Sequence, residues 1–238
     1  MIIINFLRKL IAGDYSLNAK KPGSAIKKAR IQLSDEWNNR HYQDFFLERI
    51  VRLTLLLQAF VFPGLYIRDI SGRYGLKCRK ISLEFYAIAK MLLPIIIILQ
   101  GWYIHSWTIG VCIYLSVETI LYLLSLIFLS GTYTSPISFK RSLITLFVNY
   151  IEISMTFAVI YAYLWASGVP SSASSNIKAI YFSIITATTI GFGDIFPKTS
   201  VEQFVVIIQS LISLIFVGMF FSYFLSHINE TSYINKKT

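Results

Sequence analysis

The sequence predicts an all-α membrane protein in which four helices cross the bilayer and one shorter helix enters it without crossing. Two observations predict this fold class. Of the 238 residues, 55% are hydrophobic and only 14% are charged, whereas about a quarter of the residues in a soluble domain are charged. Apolar stretches of about 20 residues, the length that crosses the hydrocarbon core, occur four times, and basic residues cluster beside them.

Residues 1–84 are predicted to form a basic cytoplasmic arm. Sixteen of the 22 Lys and Arg residues lie in the first 90 positions, and none lies in the next 49. Residues 50–66 are expected to form an interfacial helix, because this apolar stretch is too short to span and is interrupted by Pro63 and Gly64. If it did span, the basic residues of 67–80 would lie opposite the arm, against the positive-inside rule.

Residues 85–130 are predicted to form a transmembrane hairpin. Its two spans, Phe85–Tyr103 and Ile109–Ser130, are joined by a short connection. Lys90 lies near the cytoplasmic end of the first span, so we expect its side chain to snorkel to the membrane surface.

Residues 142–226 contain two further spans, Leu143–Trp165 and Glu202–Leu225. Between them lies Ala179–Thr189, which is apolar and compatible with a helix but only half a span long. Residues 227–238 are expected to form a short cytoplasmic tail.

Charge orients the four spans. With the arm inside, the basic pairs at 140–141 and 236–237 also lie inside, as the positive-inside rule requires. Three tryptophans then fall at outer span ends, where an aromatic belt is expected: they are Trp102, Trp107 and Trp165. We therefore expect an integral membrane protein, housed in the plasma membrane, with both termini in the cytoplasm.

A glycine-rich loop, Thr189-Ile190-Gly191-Phe192-Gly193, follows the half-length helix. Non-helical backbone at membrane depth occurs only where it is buried in protein or lines a water-filled pathway. Gly191 and Gly193 permit backbone angles that place successive carbonyls on one side of the chain. Such carbonyls can replace the hydration shell of a cation when several chains surround it. The preceding helix would direct the negative end of its dipole to the same place.

The run from Tyr181 to Asp194 resembles the pore helix and signature sequence of tetrameric potassium channels. Its core, Thr-x-Thr-Thr-x-Gly-aromatic-Gly-Asp, is specific, whereas a lone Gly-x-Gly would mean little. The resemblance extends over roughly Leu143–Leu225, about a third of the chain. It implies a homotetramer in which each subunit has three identical partners and contributes one re-entrant pore helix and one selectivity-filter loop. It also implies K⁺ as the permeant ion, with no cofactor.

The resemblance implies a role for each matching residue. The expected K⁺ ligands are the carbonyls of Thr189, Ile190, Gly191 and Phe192, with the Thr189 hydroxyl. Gly193 completes the filter, and Asp194 stands at the pore mouth. The matching pore-helix residues are Tyr181, Phe182, Thr186 and Thr188. Since Phe192 replaces the commoner Tyr, a hydroxyl that could tie the filter to the pore helix is missing.

Leu214, Val217 and Phe221 share one face of the last span. The resemblance places inner-cavity residues there, and Phe221 is then a candidate hydrophobic gate that closes the pore by dewetting. Packing against the third span is the alternative, because aromatic stripes at helical spacing usually belong to a core.

Glu118 and Glu152 both approach mid-membrane, about 14 and 15 Å from the ends of their spans at 1.5 Å per residue. A charge at this depth is costly and usually functional. The two acids could share a proton or bond to tyrosines, coupling the hairpin to the pore. Alternatively, a local partner such as Asn149 or a serine could hold each acid neutral.

The absence of particular residue types and spacings argues against several functions. The second span carries no Lys or Arg, so the hairpin is not expected to be a voltage sensor. An enzyme is not expected either, since His41, His105 and His227 are scattered. Basic residues beside apolar spans are typical of a membrane protein, so we expect no nucleic-acid partner, whereas anionic lipid could bind the basic arm. Three rivals stay open: a weakly selective cation channel, a potassium transporter subunit, and a regulatory membrane protein with an incidental pore.

Overall fold

The computed structural model describes residues 23–38, 46–129, 139–166 and 176–230, and every regular element in these ranges is helical. The all-α prediction is therefore confirmed for this part of the chain. The start of the predicted arm, up to residue 22, and the end of the predicted tail, from residue 231, lie outside the described residues.

Four of the described helices are long and apolar enough to cross a membrane, as predicted. The helices are α1 Ala25–Trp37, α2 Phe46–Gln58, α3 Pro63–Arg73, α4 Leu76–Leu99, α5 Ser106–Phe128, α6 Phe139–Ala166, α7 Asn176–Ala187 and α8 Ser200–Glu230, with a short 3-10 helix, Trp102–Ile104, between α4 and α5. The spans are α4, α5, α6 and α8, whereas α7 has 12 residues and is about 18 Å long. Four spans and one half-length helix are thus confirmed.

The predicted interfacial helix at 50–66 is in fact two helices. Helices α2 and α3 meet at a bend of 58°. Pro63 is the first residue of α3, a position that suits proline because its missing N–H would have no partner in the helix and its φ is already helical. Pro63 and Gly64 therefore begin a helix where the sequence predicted an interruption within one.

Helix α4 begins at Leu76, nine residues before the predicted start of the first span at Phe85. The apolar pattern marks the part of a helix that lies in the bilayer. The basic residues that precede it, Lys77, Arg79 and Lys80, are themselves good helix formers. The helix is consequently longer than its apolar part.

The contacts divide the chain into two units, which we describe separately. The first comprises Met1–Ala87 and Glu118–Thr134, and the second comprises Ile88–Val117 and Ser135–Thr238. In the first unit, α2 packs against the end of α5 in a small apolar core. Its residues are Leu55, Leu56 and Leu129, with Leu33, Val51, Leu121 and Leu124 around them.

In the second unit, α6 is the central helix. It packs against α7 and α8 and against the parts of α4 and α5 that belong to this unit. The apolar core of this packing consists of Ile97, Ile98, Ile109, Cys112, Ala158 and Val159. Helix α7 is thereby held in place as the element that carries the glycine-rich loop.

Candidate functional site

Helix α7 ends in a hydrogen-bonding motif that turns the chain sharply. The Ile190 N–H donates to the Ile185 carbonyl at 3.0 Å, and the Gly191 N–H donates to the same oxygen at 3.3 Å. The Thr189 N–H donates to the Thr186 carbonyl at 3.1 Å. Together these bonds form the Schellman closure of a helix, which requires a left-handed residue just after the cap. Thr189 fills that position with a φ of 59°, although glycine is usual there and a β-branched residue is strained.

The sign of φ alternates along the loop that follows. It is positive at Thr189 (59°), Gly191 (53°) and Gly193 (77°) and not at Ile190 or Phe192. Positive φ at every second residue is the pattern of a backbone nest, in which successive N–H groups share one side of the chain. Within the described residues, no hydrogen bond is made to the carbonyl oxygens of the first four loop residues. These oxygens are therefore available to a ligand.

The end of the loop is tied to the pore helix through Tyr181. The Tyr181 hydroxyl donates to Asp194 Oδ2 at 2.8 Å. The sequence predicted that Phe192 would leave the filter without such a tie. In the structure a hydroxyl on the helix makes this tie instead, because Tyr181 stands where the resemblance expects another aromatic residue.

A buried polar network holds α7 between α6 and α8. Gln209 of α8 donates from Nε2 to the Ser183 carbonyl (2.8 Å) and hydroxyl (2.9 Å) on α7. Gln209 Oε1 accepts from the Tyr161 hydroxyl of α6 at 2.7 Å. The Ser183 hydroxyl donates to the Ser154 carbonyl, also on α6, at 2.5 Å. One glutamine thus links three helices, and sequence reasoning missed it. The signal was a lone Gln in an apolar span, which must find polar partners.

Aromatic packing holds the first half of α7 against α6. Phe182 is buried, with its ring centroid 4.8 Å from that of Tyr161 and 6.0 Å from that of Trp165. Tyr181 and Phe182 therefore face different neighbours, although the sequence treats them as one aromatic pair.

The last turn of α7 is held by further hydrogen bonds. The Tyr150 hydroxyl of α6 donates to the Ala187 carbonyl at 2.8 Å. Thr188 is exposed, and its hydroxyl donates to the Ile184 carbonyl at 2.8 Å, while Thr186 is half-buried. The end of the helix is consequently held from α6 as well as by its own turn.

A capping box fixes the start of α8. Glu202 Oε2 accepts from the backbone N–H groups of Lys198 (2.7 Å) and Thr199 (3.0 Å), and the Thr199 hydroxyl accepts from the Glu202 N–H (3.3 Å). The other carboxylate oxygen of Glu202 accepts from Trp165 Nε1 of α6 at 2.9 Å. Glu202 therefore both caps α8 and attaches it to α6.

Comparison with known proteins agrees with this geometry. Residues 144–230 match the sequence model of a family described as an ion channel. The match covers the two spans, the half-length helix and the loop just described. No curated protein and no solved structure matched the chain. Together with four helices able to cross a membrane, the match identifies an integral membrane protein with a pore-loop ion-channel domain.

The candidate gate residues of the channel lie on the exposed side of α8. Leu214, Val217 and Phe221 are 68%, 42% and 65% exposed. Their exposure does not support packing against the third span, α6, within one chain, and their role as a gate stays a prediction. The side of α8 that does face its own chain carries Glu202 and Gln209 instead.

The carboxylate of Glu118, a residue of α5, lies at the start of α3 in the first unit. Its Oε1 accepts from the Gly64 N–H at 2.9 Å, and its Oε2 accepts from the Tyr86 hydroxyl at 2.5 Å. A carboxylate at a helix N-terminus satisfies a backbone donor and interacts favourably with the helix dipole. A Cβ at position 64 would lie 2.6 Å from Glu118 Oε1, so a larger residue there would displace this carboxylate oxygen.

Glu152 lies in the second unit, 3.5 Å from the Lys90 ammonium. Both side chains are buried, at 1% and 7% exposure. The expectation that Lys90 snorkels to the membrane surface is wrong, because a carboxylate on α6 compensates its charge inside the protein. The pair joins α4 of the hairpin to the outer helix of the pore domain.

Asn176, the first residue of α7, makes a second connection to the hairpin. Its Nδ2 donates to the Ile98 carbonyl at 2.9 Å, and its Oδ1 accepts from the Tyr103 hydroxyl at 2.8 Å. The pore helix is therefore anchored to the hairpin at its start and to α6 and α8 along its length. Nothing in the sequence indicates this contact, because asparagine at a helix start is an ordinary cap.

Proposed function

We propose that this chain is one subunit of a tetrameric, potassium-selective channel that conducts K⁺ passively. The observation that carries the proposal is the alternating backbone of the glycine-rich loop, whose carbonyl oxygens have no hydrogen-bond donor in the described chain. Rings of such oxygens can take the place of the water around a K⁺ ion. K⁺ would bind to the carbonyl oxygens of Thr189, Ile190, Gly191 and Phe192. Gly193 would complete the filter, and Asp194 would lie at its mouth.

Apolar exposure supports the assembly of four subunits. Ile190 and Phe192 are 55% and 69% exposed in the single chain, although they belong to a loop between membrane spans. Each chain has one such loop and provides part of a ring, so identical copies must surround a common axis. Neighbouring subunits would then cover the side chains of Ile190 and Phe192.

The charge pattern supports an orientation with the basic arm and both termini in the cytoplasm of a cell whose plasma membrane houses the channel. The pore mouth at Asp194 then faces outward, and the exposed side chain of Phe221 lies towards the inner end of the pathway. The second span lacks basic residues, so gating does not depend on a voltage sensor.

The hairpin is coupled to the pore in this proposal. The Lys90–Glu152 pair and the Asn176 contacts join it to the outer helix and to the pore helix. Glu118 attaches the same hairpin to α3 of the arm.

The test is planar-bilayer recording of the purified protein in a K⁺ gradient, with Na⁺ exchanged for K⁺. A reversal potential that follows the K⁺ gradient supports the proposal, and one that does not distinguish the two ions identifies a weakly selective cation channel. Gly191→Ala should abolish selective conduction, because alanine is strained at a φ of 53°. Gly110→Ala is the matched control, since a Cβ there meets nothing within 4 Å.

The number of subunits needs a separate measurement. Chemical crosslinking of the purified protein in lipid nanodiscs should give bands up to four chains. A product that stops at one chain would favour a transporter-like arrangement and overturn the tetramer.

A further inference from the structure

An apolar groove lies between α1 and α2 in the first unit, outside the pore domain. It has a volume of about 300 Å³. Its lining is formed by Arg30, Leu33, Ser34, Trp37, Leu53 and Leu57. Leucine and tryptophan side chains make most of the wall, and Arg30 provides one positive charge at its edge.

The groove continues into an exposed apolar face of α2. This face repeats at helical spacing and is formed by Phe46, Leu47, Ile50 and Leu57, each more than half exposed. The opposite face of α2, at Leu55 and Leu56, packs beside Leu129. Since the spanning helix α5 ends at Phe128, α2 lies where that span reaches the membrane surface. An exposed apolar face at such a position suits the membrane interface.

Charge is distributed unevenly along α1. Lys27, Lys28 and Arg30 are exposed in its first half. In the second half, Glu36 is buried, with Arg52 Nη1 3.6 Å from its carboxylate, so this acid offers little negative charge to the groove. Trp37, 66% exposed, stands at the other end of the groove, and tryptophan is the residue type enriched at the membrane interface. The groove thus combines a basic edge with an apolar floor.

Both ends of α1 are fixed, so the groove is already formed. At the start, Asp69 of α3 accepts from the Ser24 hydroxyl at 2.6 Å and from the Ile26 N–H at 3.3 Å. The Ser24 bond, with further bonds from Ile26 and Arg73, lowers the pKa of Asp69 to about 2. At the end, Arg49 Nη2 of α2 donates to the Trp37 carbonyl at 2.9 Å. A preformed groove loses little conformational entropy when a ligand binds.

We propose that the groove between α1 and α2 binds one acyl chain of an anionic phospholipid, with Arg30 and Lys27 holding the phosphate. Lys27 lies one helical turn before Arg30, so both charges reach the same edge. Arginine pairs well with phosphate, and each basic residue near an anionic bilayer strengthens binding by about fivefold. The proposal depends on the membrane location of the chain and not on ion selectivity, so it can fail while the proposed function stands.

The experiment is native mass spectrometry of the full-length, delipidated protein after addition of phosphatidylglycerol or phosphatidylcholine of equal chain length. We expect bound phosphatidylglycerol at several-fold higher occupancy than phosphatidylcholine. Arg30→Gln removes the phosphate contact and should weaken phosphatidylglycerol binding about fivefold. Ser34→Trp fills the groove without changing charge and should weaken it comparably. Lys178→Gln, a change of the same charge at an exposed position on α7, is the control and should leave binding unchanged.

Each other outcome overturns the proposal. Loss of binding in Arg30→Gln but not in Ser34→Trp identifies a charged surface without a groove site. Equal occupancy by the two lipids means that the basic edge does not select the anionic lipid. Uptake of neither lipid shows that the groove is covered by protein. Circular dichroism of each variant establishes that the helices are retained before binding is compared.

Discussion

The outer and inner helices of the pore domain, α6 and α8, differ in how their own chain covers them. Both are long enough to span, and α8 is the more hydrophobic of the two. Yet 56% of the α6 span is buried inside the chain and only 22% of the α8 span. Hydrophobicity therefore does not predict burial within one subunit.

This difference in burial indicates which side of α8 packs within its own subunit. The face of α8 that is buried in the chain carries polar residues, Glu202 and Gln209, which bond to α6 and α7. Its exposed side carries large apolar residues, including Leu211, Leu214 and Phe221. These polar contacts hold α8 within the subunit together with the buried apolar residues Phe216 and Met219. The exposed apolar side is left for other copies, lipid or the pore.

The largest effect on stability is expected at the buried ion pair that joins α4 to α6. Lys90→Met should lower the free energy of unfolding by about 3 kcal/mol, because it removes a cation from beside the buried Glu152 carboxylate. Unfolding of the purified channel by sodium dodecyl sulfate in mixed micelles measures this. Adding Glu152→Leu should recover much of the loss, since apolar residues replace a buried pair well. Lys178→Met is the matched control, and single and double variants as stable as the parent would contradict the prediction.

The next effect is expected on the buried side of α8. Gln209→Leu should cost about 2 kcal/mol, because the hydroxyls of Tyr161 and Ser183 then lose a buried partner. The same unfolding measurement applies. Gln203→Leu makes the same chemical change at an exposed position of α8 and should be neutral. Equal losses in the two variants would mean that the two sides of α8 do not differ as described.

A smaller effect is expected at the start of α8. Glu202→Ala should cost about 1 kcal/mol, because two backbone donors lose their cap and Trp165 Nε1 loses its acceptor. Glu202→Gln retains a side chain that can cap and should lose less than half of this. If the two variants prove equally stable, the hydrogen bonds of Glu202 do not contribute.

The smallest effect on stability is expected on the exposed side of α8. Phe221→Ala should change the free energy of unfolding by less than about 0.5 kcal/mol, as surface substitutions do. It should nevertheless raise single-channel open probability, because a smaller side chain makes a hydrophobic constriction easier to wet. Phe204→Ala, also exposed on α8, should leave gating unchanged. If Phe221→Ala leaves the open probability unchanged, Phe221 is not the gate.

The sequence predicted the features that depend on length and local pattern. Four apolar stretches predicted four spans, and the match around Gly191 and Gly193 located the loop. The loop motif is readable because glycine at positive φ is a local requirement of the backbone.

The features that the sequence missed depend on which helix faces are neighbours. The Gln209–Ser183 contact and the Asn176–Ile98 contact join residues 26 and 78 positions apart. No periodicity within one helix indicates such partners. Lys90 was assigned to the membrane surface for the same reason, because its partner Glu152 lies on another helix.

Thr189 takes a left-handed conformation that costs a β-branched residue on the order of 1–2 kcal/mol relative to the right-handed one. A glycine would relieve that cost but would also remove the hydroxyl. If a cation binds to the oxygens of this segment, its binding free energy favours the costly conformation, and an empty segment is freer to relax. Occupancy and backbone shape are then thermodynamically linked, so the concentration of the permeant ion helps to determine the stability of the route it travels.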